Sequence, residues 1–512
     1  MTSIIVILWL RTFLAWTVLA EQTNNCTEIS GLNISTLTKE NFDHKRTWST
    51  ITCIILQRNV IRSIEQGLFS NFKNLKWLFM KNIEMLGKGI VDGFEGINST
   101  DLVQLGLENV GLTSAITEEI FTKLPRRIKV LNLQHNHIER FSFHSIRHLK
   151  TIGTINLSGN KDLDFSIWTL QNFTFLKNLY LSSTNFHMNS TFCPKGWSHF
   201  PNLKYLYMNG NTFDLSAIDI KNCFKKVRHL DLSYCRLLNG LNYSSFSNFP
   251  NMVFLHLTAM HNTKVFHWPT FEKNKYLQYL DLSTMNFSFP PSHENMGGFK
   301  HLKKLRTLRM NDWNLSQWDS LSLSTLYSPL SKSIQTLQLI NVGVSEIPRI
   351  VWKMPNLTTL SMGHNYISRL ERPINTTSIR LKTLHLQSNR IAIVYPESIP
   401  KSVTDLNLSG NPFDCRCPLM RYVNWVREHD TKNARDWPDH YFCAAPQAWK
   451  SRSLWEFAHR IKPTDCRPFN AYVIATFVIC FILILVVIVT NVVTWRRSKV
   501  KSVKQEPLLP KT

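Results

Sequence analysis

Between residues 180 and 309 the sequence sets tyrosine, histidine and arginine at recurring offsets. These are Tyr180, Tyr205, Tyr207, Tyr234, Phe254 and Tyr279, interleaved with Arg228, His229, His256, Arg306 and Arg309. Such residues make contacts rather than break bonds, and tyrosine and arginine are the usual anchors of protein interfaces. A plainer reading is that tyrosine simply favours strands. Histidine adds a second chemistry, because His135, His137, His256, His364 and His385 stand at offsets where acid-sensing residues would face solvent. No acid or cysteine accompanies the His135–His137 pair at a usable spacing, so no metal is expected. There is no GxSxG elbow, phosphate-binding glycine loop or HExxH motif. The chain is therefore expected to be no enzyme and to need no cofactor.

Cysteine and asparagine carry the remaining chemistry. Cys26 and Cys53 bracket a polar segment and could staple it. Cys415 and Cys417, one residue apart, cannot comfortably bridge each other and instead reach separate partners, Cys443 and Cys466. Zinc is the rival reading, but the wide spacing favours disulfides. Cys193 and Cys223 could pair in the same way, leaving Cys235 unpaired. Asn-x-Ser/Thr sequons fall at Asn25, Asn33, Asn98, Asn156, Asn172, Asn189, Asn242, Asn286, Asn314, Asn356, Asn375 and Asn407. They permit glycosylation in a secreted segment without requiring it.

All of these residues are positioned by one recurring phrase. Its clearest form runs from Ile128 to Ile138, with Leu131, Leu133 and Asn136 between, and it reads LxxLxLxxNxL. Fifteen copies start at Ile51, Leu75, Leu102, Ile128, Ile152, Leu176, Leu203, Val227, Met252, Leu277, Leu305, Ile334, Leu357, Leu381 and Val403, spaced by 22 to 29 residues. That is the signature of a leucine-rich repeat. Leu131 and Leu133 alternate with polar Asn132 and Gln134, which predicts a short strand with leucines inward. The ninth position holds asparagine in seven copies, and a buried amide there must be paired. Met260, Met285, Trp313 and Val342 replace it in four consecutive copies, so the curvature should change there. The expected fold is an α/β solenoid, a horseshoe of about fifteen leucine-rich repeats with a parallel concave β-sheet, cysteine-stapled caps and one transmembrane helix.

The ends set the remaining boundaries. Residues 1–20 read as a signal peptide, with a retained anchor as the alternative. Residues 21–50 form an N-terminal cap, 51–413 the repeats and 414–467 a C-terminal cysteine-rich cap. Residues 471–495 are apolar enough to cross ~30 Å of hydrocarbon. The basic residues 496–512 then face the cytosol by the positive-inside rule. The formal net charge of +24 attracts polyanions or merely aids solubility.

The repeats together with Asn411-Pro-Phe-Asp-Cys-Arg-Cys417 and Trp437-Pro-Asp-His-Tyr-Phe-Cys443 resemble the ectodomain of a Toll-like receptor. That resemblance covers roughly residues 51–495 and implies innate-immune ligand recognition. The family continues into a cytosolic Toll/interleukin receptor domain, whereas 17 residues follow residue 495 here. The expectation is a single-pass type I membrane co-receptor or decoy without its own signalling domain, at the plasma membrane or in endosomes. Its partners would be an anionic or lipid microbial ligand, a protein ligand, or a signalling-competent Toll-like receptor as heterodimer. A cell-adhesion or organising protein that binds another surface protein is the alternative.

Overall fold

A computed structural model describes residues 26–42, 48–83, 87–164, 173–185, 200–213, 224–238, 240–242, 245–261, 268–285, 298–370, 380–428, 435–461 and 471–502. The expectations for residues 1–20, for Cys193, Cys223 and Cys466, and for the sequons at Asn25, Asn172, Asn189, Asn286 and Asn375 lie outside the described residues.

Each phrase contributes one strand to a single sixteen-stranded parallel sheet. In most repeats the strand is only the third to fifth phrase positions, as in Val130–Asn132, Tyr205–Tyr207 and Thr383–His385. The central leucine points inward and is fully buried, as at Leu131, Leu206 and Leu384. Parallel strands need a crossover, and here it is a return of short 3-10 turns with occasional helices such as Ser114–Lys123 and Ser320–Tyr327. Phenylalanines from these returns stack behind the sheet: Phe224 lies 5.2 Å from Phe249, and Phe246 lies 5.8 Å from Phe271. The side of the sheet away from them is left open, whereas both faces of a parallel sheet are usually covered. That open face is where recognition residues can stand.

The eighth position of all fifteen phrases, from Arg58 to Gly410, takes a positive φ. This left-handed residue turns the chain out of the strand. It is glycine only at Gly159, Gly210 and Gly410, so backbone pairing to the next repeat must hold it elsewhere. That pairing is regular: His135 N donates to Ser158 O at 2.8 Å, and Tyr234 N donates to Thr258 O at 2.8 Å.

The ninth-position amides behave as buried clamps. Asn136 Oδ1 accepts from Val110 N and Leu112 N at 3.0 and 3.1 Å, and its Nδ2 donates to Leu107 O at 2.7 Å. Cys235 substitutes with a thiol donated to Met208 O at 3.3 Å. Strand pairing is unbroken from Phe254 to Ser361, and Ala259, Thr284 and Asp312 keep their backbone bonds to the following repeat. Trp313 also retains the clamp's donor, because its indole N–H reaches Leu282 O at 2.6 Å.

The caps continue the same bonding. The strand Thr27–Ser30 pairs with Cys53–Gln57, and Cys26 is disulfide-bonded to Cys53. At the other end Cys415 is bonded to Cys443, and Cys417 is in a disulfide whose partner lies outside the described residues. Leu408 N donates to the Tyr441 hydroxyl at 3.0 Å, and Gly410 N donates to His440 O at 2.8 Å. These two groups stand where a sixteenth repeat would have offered carbonyls. The WPDHYFC segment thereby closes the open ladder. Beyond it, the helix Ala471–Ser502 contains the 23-residue stretch Ala475–Arg497, with an 18-residue window of mean hydropathy 3.0, long and apolar enough to cross a membrane.

Candidate recognition face

Five adjacent strands, from Asn178–Tyr180 to Tyr279–Asp281, carry an aromatic band on the open face. Strand pairing brings rings that are 22 to 27 residues apart in sequence into neighbouring places. Tyr180 and Tyr207 stack with centroids 4.6 Å apart and planes at 1°. His229 stacks on Phe254 at 4.9 Å and on His256 at 5.5 Å, and it also meets Tyr205 and Tyr207. His256 and Phe254 both reach Tyr279, and the guanidinium of Arg309 lies 5.4 Å over that ring.

The predicted residues thus divide into three places. Tyr180, Tyr205, Tyr207, His229, Phe254, His256, Tyr279 and Arg309 form the band. Arg228 and Arg306 sit at the second phrase position, on the edge where strands begin, and both are exposed. Tyr234 occupies the left-handed eighth position, on the turn beyond the strand. Exposure within the band is uneven. Tyr205 and Phe254 are open at 41% and 36%, but Tyr279 is covered by its neighbours to 7%. Burial, with Tyr205 adding to it, pushes the Tyr180 phenol up to about 12, so this ring is neutral at any physiological pH.

Sequence reading missed the acids beneath the rings. Asp231 and Asp281 occupy the fifth position of Leu-Asp-Leu-Ser phrases, and each carboxylate accepts from the backbone N–H of the serine two residues on, at 2.9 and 3.0 Å. Tyr279 donates its hydroxyl to Asp281 Oδ2 at 3.2 Å, and Arg309 lies 3.7 Å from the same oxygen. The signal was an Asp or Asn two residues before Ser or Gln. Asn132, Asn156 and Asn407 make the same short bond.

That bond bears on two of the sequons. Asn156 is half-buried, and its Nδ2 donates to Gln134 at 2.8 Å. Asn407 is 6% exposed and its Nδ2 donates to Asp436 at 3.2 Å, so the folded strand leaves no room there for a glycan. Asn33, Asn98, Asn314 and Asn356 are exposed, and Asn242 is half-buried. Outside the band His385 contacts Asp405 at 3.1 Å, a carboxylate that also meets Arg435 at 2.8 Å. Among the described residues no cluster of His, Cys, Asp or Glu could hold a metal ion.

Comparison with known proteins agrees with this architecture. The leucine-rich repeat family profile matches residues 226–249. The human CD180 antigen is 23% identical over 410 residues, 72% of this chain and 58% of that protein. Toll-like receptor 6 of Bos taurus is 21% identical over 403 residues, 78% of this chain and 43% of that protein. Among solved structures, the mouse RP105/MD-1 complex superposes with a TM-score of 0.58 at 18% identity, covering 85% of this chain and 78% of that one. The Toll–Spatzle complex gives 0.58 at 17% identity, covering 86% and 64%. The chain spans less than two thirds of the length of these curated relatives. Stacked three-residue strands, asparagine clamps and cysteine-closed ends define a leucine-rich-repeat solenoid. Its sequence relatives include Toll-like receptors and the CD180 antigen, at 21–26% identity.

Proposed function

We propose that this chain is a recognition receptor or co-receptor of innate immunity whose concave aromatic band docks a protein partner. The observation that carries this reading is the continuous stack from Tyr180 to Tyr279 across five strands, with Arg309 of the next strand over the last ring. Its four inter-strand steps span roughly 19 Å. Rings already held against one another lose little freedom on binding, so more of their contact energy becomes affinity. Exposed Tyr205 and Phe254 are the anchors, and the rings around them set their orientation. MD-1 and Spatzle are the protein partners named for the two superposable receptors, which supports a protein ligand here. The helix Ala471–Ser502 holds the receptor in a membrane, with the repeats outside the cell and Arg496 and Arg497 on the cytosolic side. That placement permits glycosylation at the exposed sequons and disulfides in the caps.

The test is a binding screen on the full chain in nanodiscs, with MD-1, microbial acylated lipopeptides and a panel of cell-surface proteins as probes. A Tyr205→Ala, Phe254→Ala variant should lose protein binding by roughly thirtyfold or more per anchor, the size expected of interface hot spots. Binding that survives this double change would refute the band as the docking face. A cell-surface adhesion protein as the tightest probe would instead establish the organising role.

A further inference from the structure

The net charge of +24 is not spread evenly over the solenoid. The edge where strands begin comprises, in each repeat, the six residues from four before the phrase start to one after it. Over the twelve repeats from Ile128 to Val403 this edge carries nineteen Lys and Arg and no Asp or Glu, and all nineteen are exposed. The opposite edge, taken as the six residues from the left-handed turn onward, carries six Lys and Arg against seven Asp and Glu over the same repeats. Nothing in the leucine pattern requires this, because both edges lie equally far from the core.

Strand pairing turns the first of these rows into a track. Lys204 N donates to Lys177 O at 2.9 Å and Arg228 N donates to Lys204 O at 2.9 Å, so three consecutive repeats place a cation at successive steps of roughly 4.8 Å. Lys225 and Lys226 stand beside the third, and Lys303, Lys304 and Arg306 repeat the cluster three repeats on. Among the described residues only Arg127 and Lys273 of the nineteen have an ion-pair partner, Asp101 and Glu272. The others keep their charge for a ligand.

We propose that this edge binds a linear sulfated polysaccharide of the heparin type. A lysine-rich and acid-free row, interrupted only at the Met252 repeat, suits a flexible polyanion that is recognised by its charge. A nucleic-acid single strand would want stacking platforms along its path. Among the described residues of this edge the exposed rings are Phe175 and Tyr276, and Lys304 lies 4.5 Å over Tyr276. An anionic membrane would need the charge gathered near the membrane helix, whereas this track extends over twelve repeats. The site is independent of the aromatic band, which faces out from the middle of the strands.

The test is surface plasmon resonance of the full chain in detergent micelles over four surfaces: heparin, desulfated heparin, single-stranded oligothymidine and double-stranded RNA. Heparin should bind most tightly and desulfated heparin negligibly, with affinity falling steeply as salt rises. Reversing Lys225, Lys226 and Arg228 to glutamate should weaken heparin binding by roughly tenfold or more and flatten its salt dependence. Lys161→Glu with Arg369→Glu, on the opposite edge, should leave it unchanged. Should the triple reversal fold poorly, Lys204→Gln with Arg228→Gln carries the same prediction at smaller size. Equal loss from the two edges, equal binding of desulfated heparin, or tighter binding of either nucleic acid would overturn the proposal.

Discussion

Replacing Asn136 by leucine tests whether the ninth-position amide holds neighbouring repeats together. The side chain is 3% exposed and binds five backbone groups, accepting from Val110 N and Leu112 N and donating to Leu107 O, Leu133 O and Gln134 O. Leucine matches its bulk but offers neither donor nor acceptor. Two buried N–H groups then lose their partners at about 1–3 kcal/mol each, or about 2–6 kcal/mol together. Met260 fills the same slot five repeats later through packing alone, so Met260→Leu should cost under about 1.5 kcal/mol. Repeats of a solenoid open locally, so the effect should be read region by region rather than from one melting curve. Hydrogen–deuterium exchange of the full chain should show protection over residues 107–112 falling roughly thirtyfold or more in Asn136→Leu. Unchanged exchange there, or an equal loss around residue 235 in Met260→Leu, would refute the clamp.

Three further outcomes follow from packing and burial. The Cys235 thiol is fully buried, and that burial raises it to about 12. It should therefore resist alkylation at pH 8 in the native chain and react on unfolding, as counted by mass spectrometry. Gly106 has no side chain because the ring of Phe79 occupies its place, 2.7 Å from where a Cβ would stand. Gly106→Ala should destabilise by about 1–3 kcal/mol, and Phe79→Leu in the same chain should recover part of that, measured as a double-mutant cycle. Tyr180 and Tyr441 are also raised to about 12, in both cases chiefly by burial. A raised acid favours the folded state while it stays neutral. That contribution is complete below the ordinary tyrosine value of 10.0 and is lost as pH climbs through about 12. Thermal melting across this alkaline range should fall, and a Tyr180→Phe variant should fall less.

Much of this protein was written in its primary structure. An inward leucine at every third-to-sixth position leaves a short strand no other arrangement, so period and fold class come from the chain alone. The paired cysteines at either end likewise marked the caps. Two points were beyond sequence reasoning. Trp313 reads as an apolar break in the asparagine series, yet its indole N–H reaches the carbonyl an amide would have used. Asn407 reads as a free sequon on a strand, yet the returning cap at Asp436 buries it.

The division has a physical cause. Hydrophobic periodicity acts over a few residues, and each strand, turn and buried leucine answers to its own phrase. The recognition face depends on groups more than twenty residues apart, and only the register of parallel strands decides which of them touch. Tyr180 meets Tyr207, and His229 lies between Phe254 and His256, because stacking aligns the same phrase position in successive repeats. By itself the sequence determined the repeat; the tertiary stacking turned scattered tyrosines, histidines and lysines into a band and an edge.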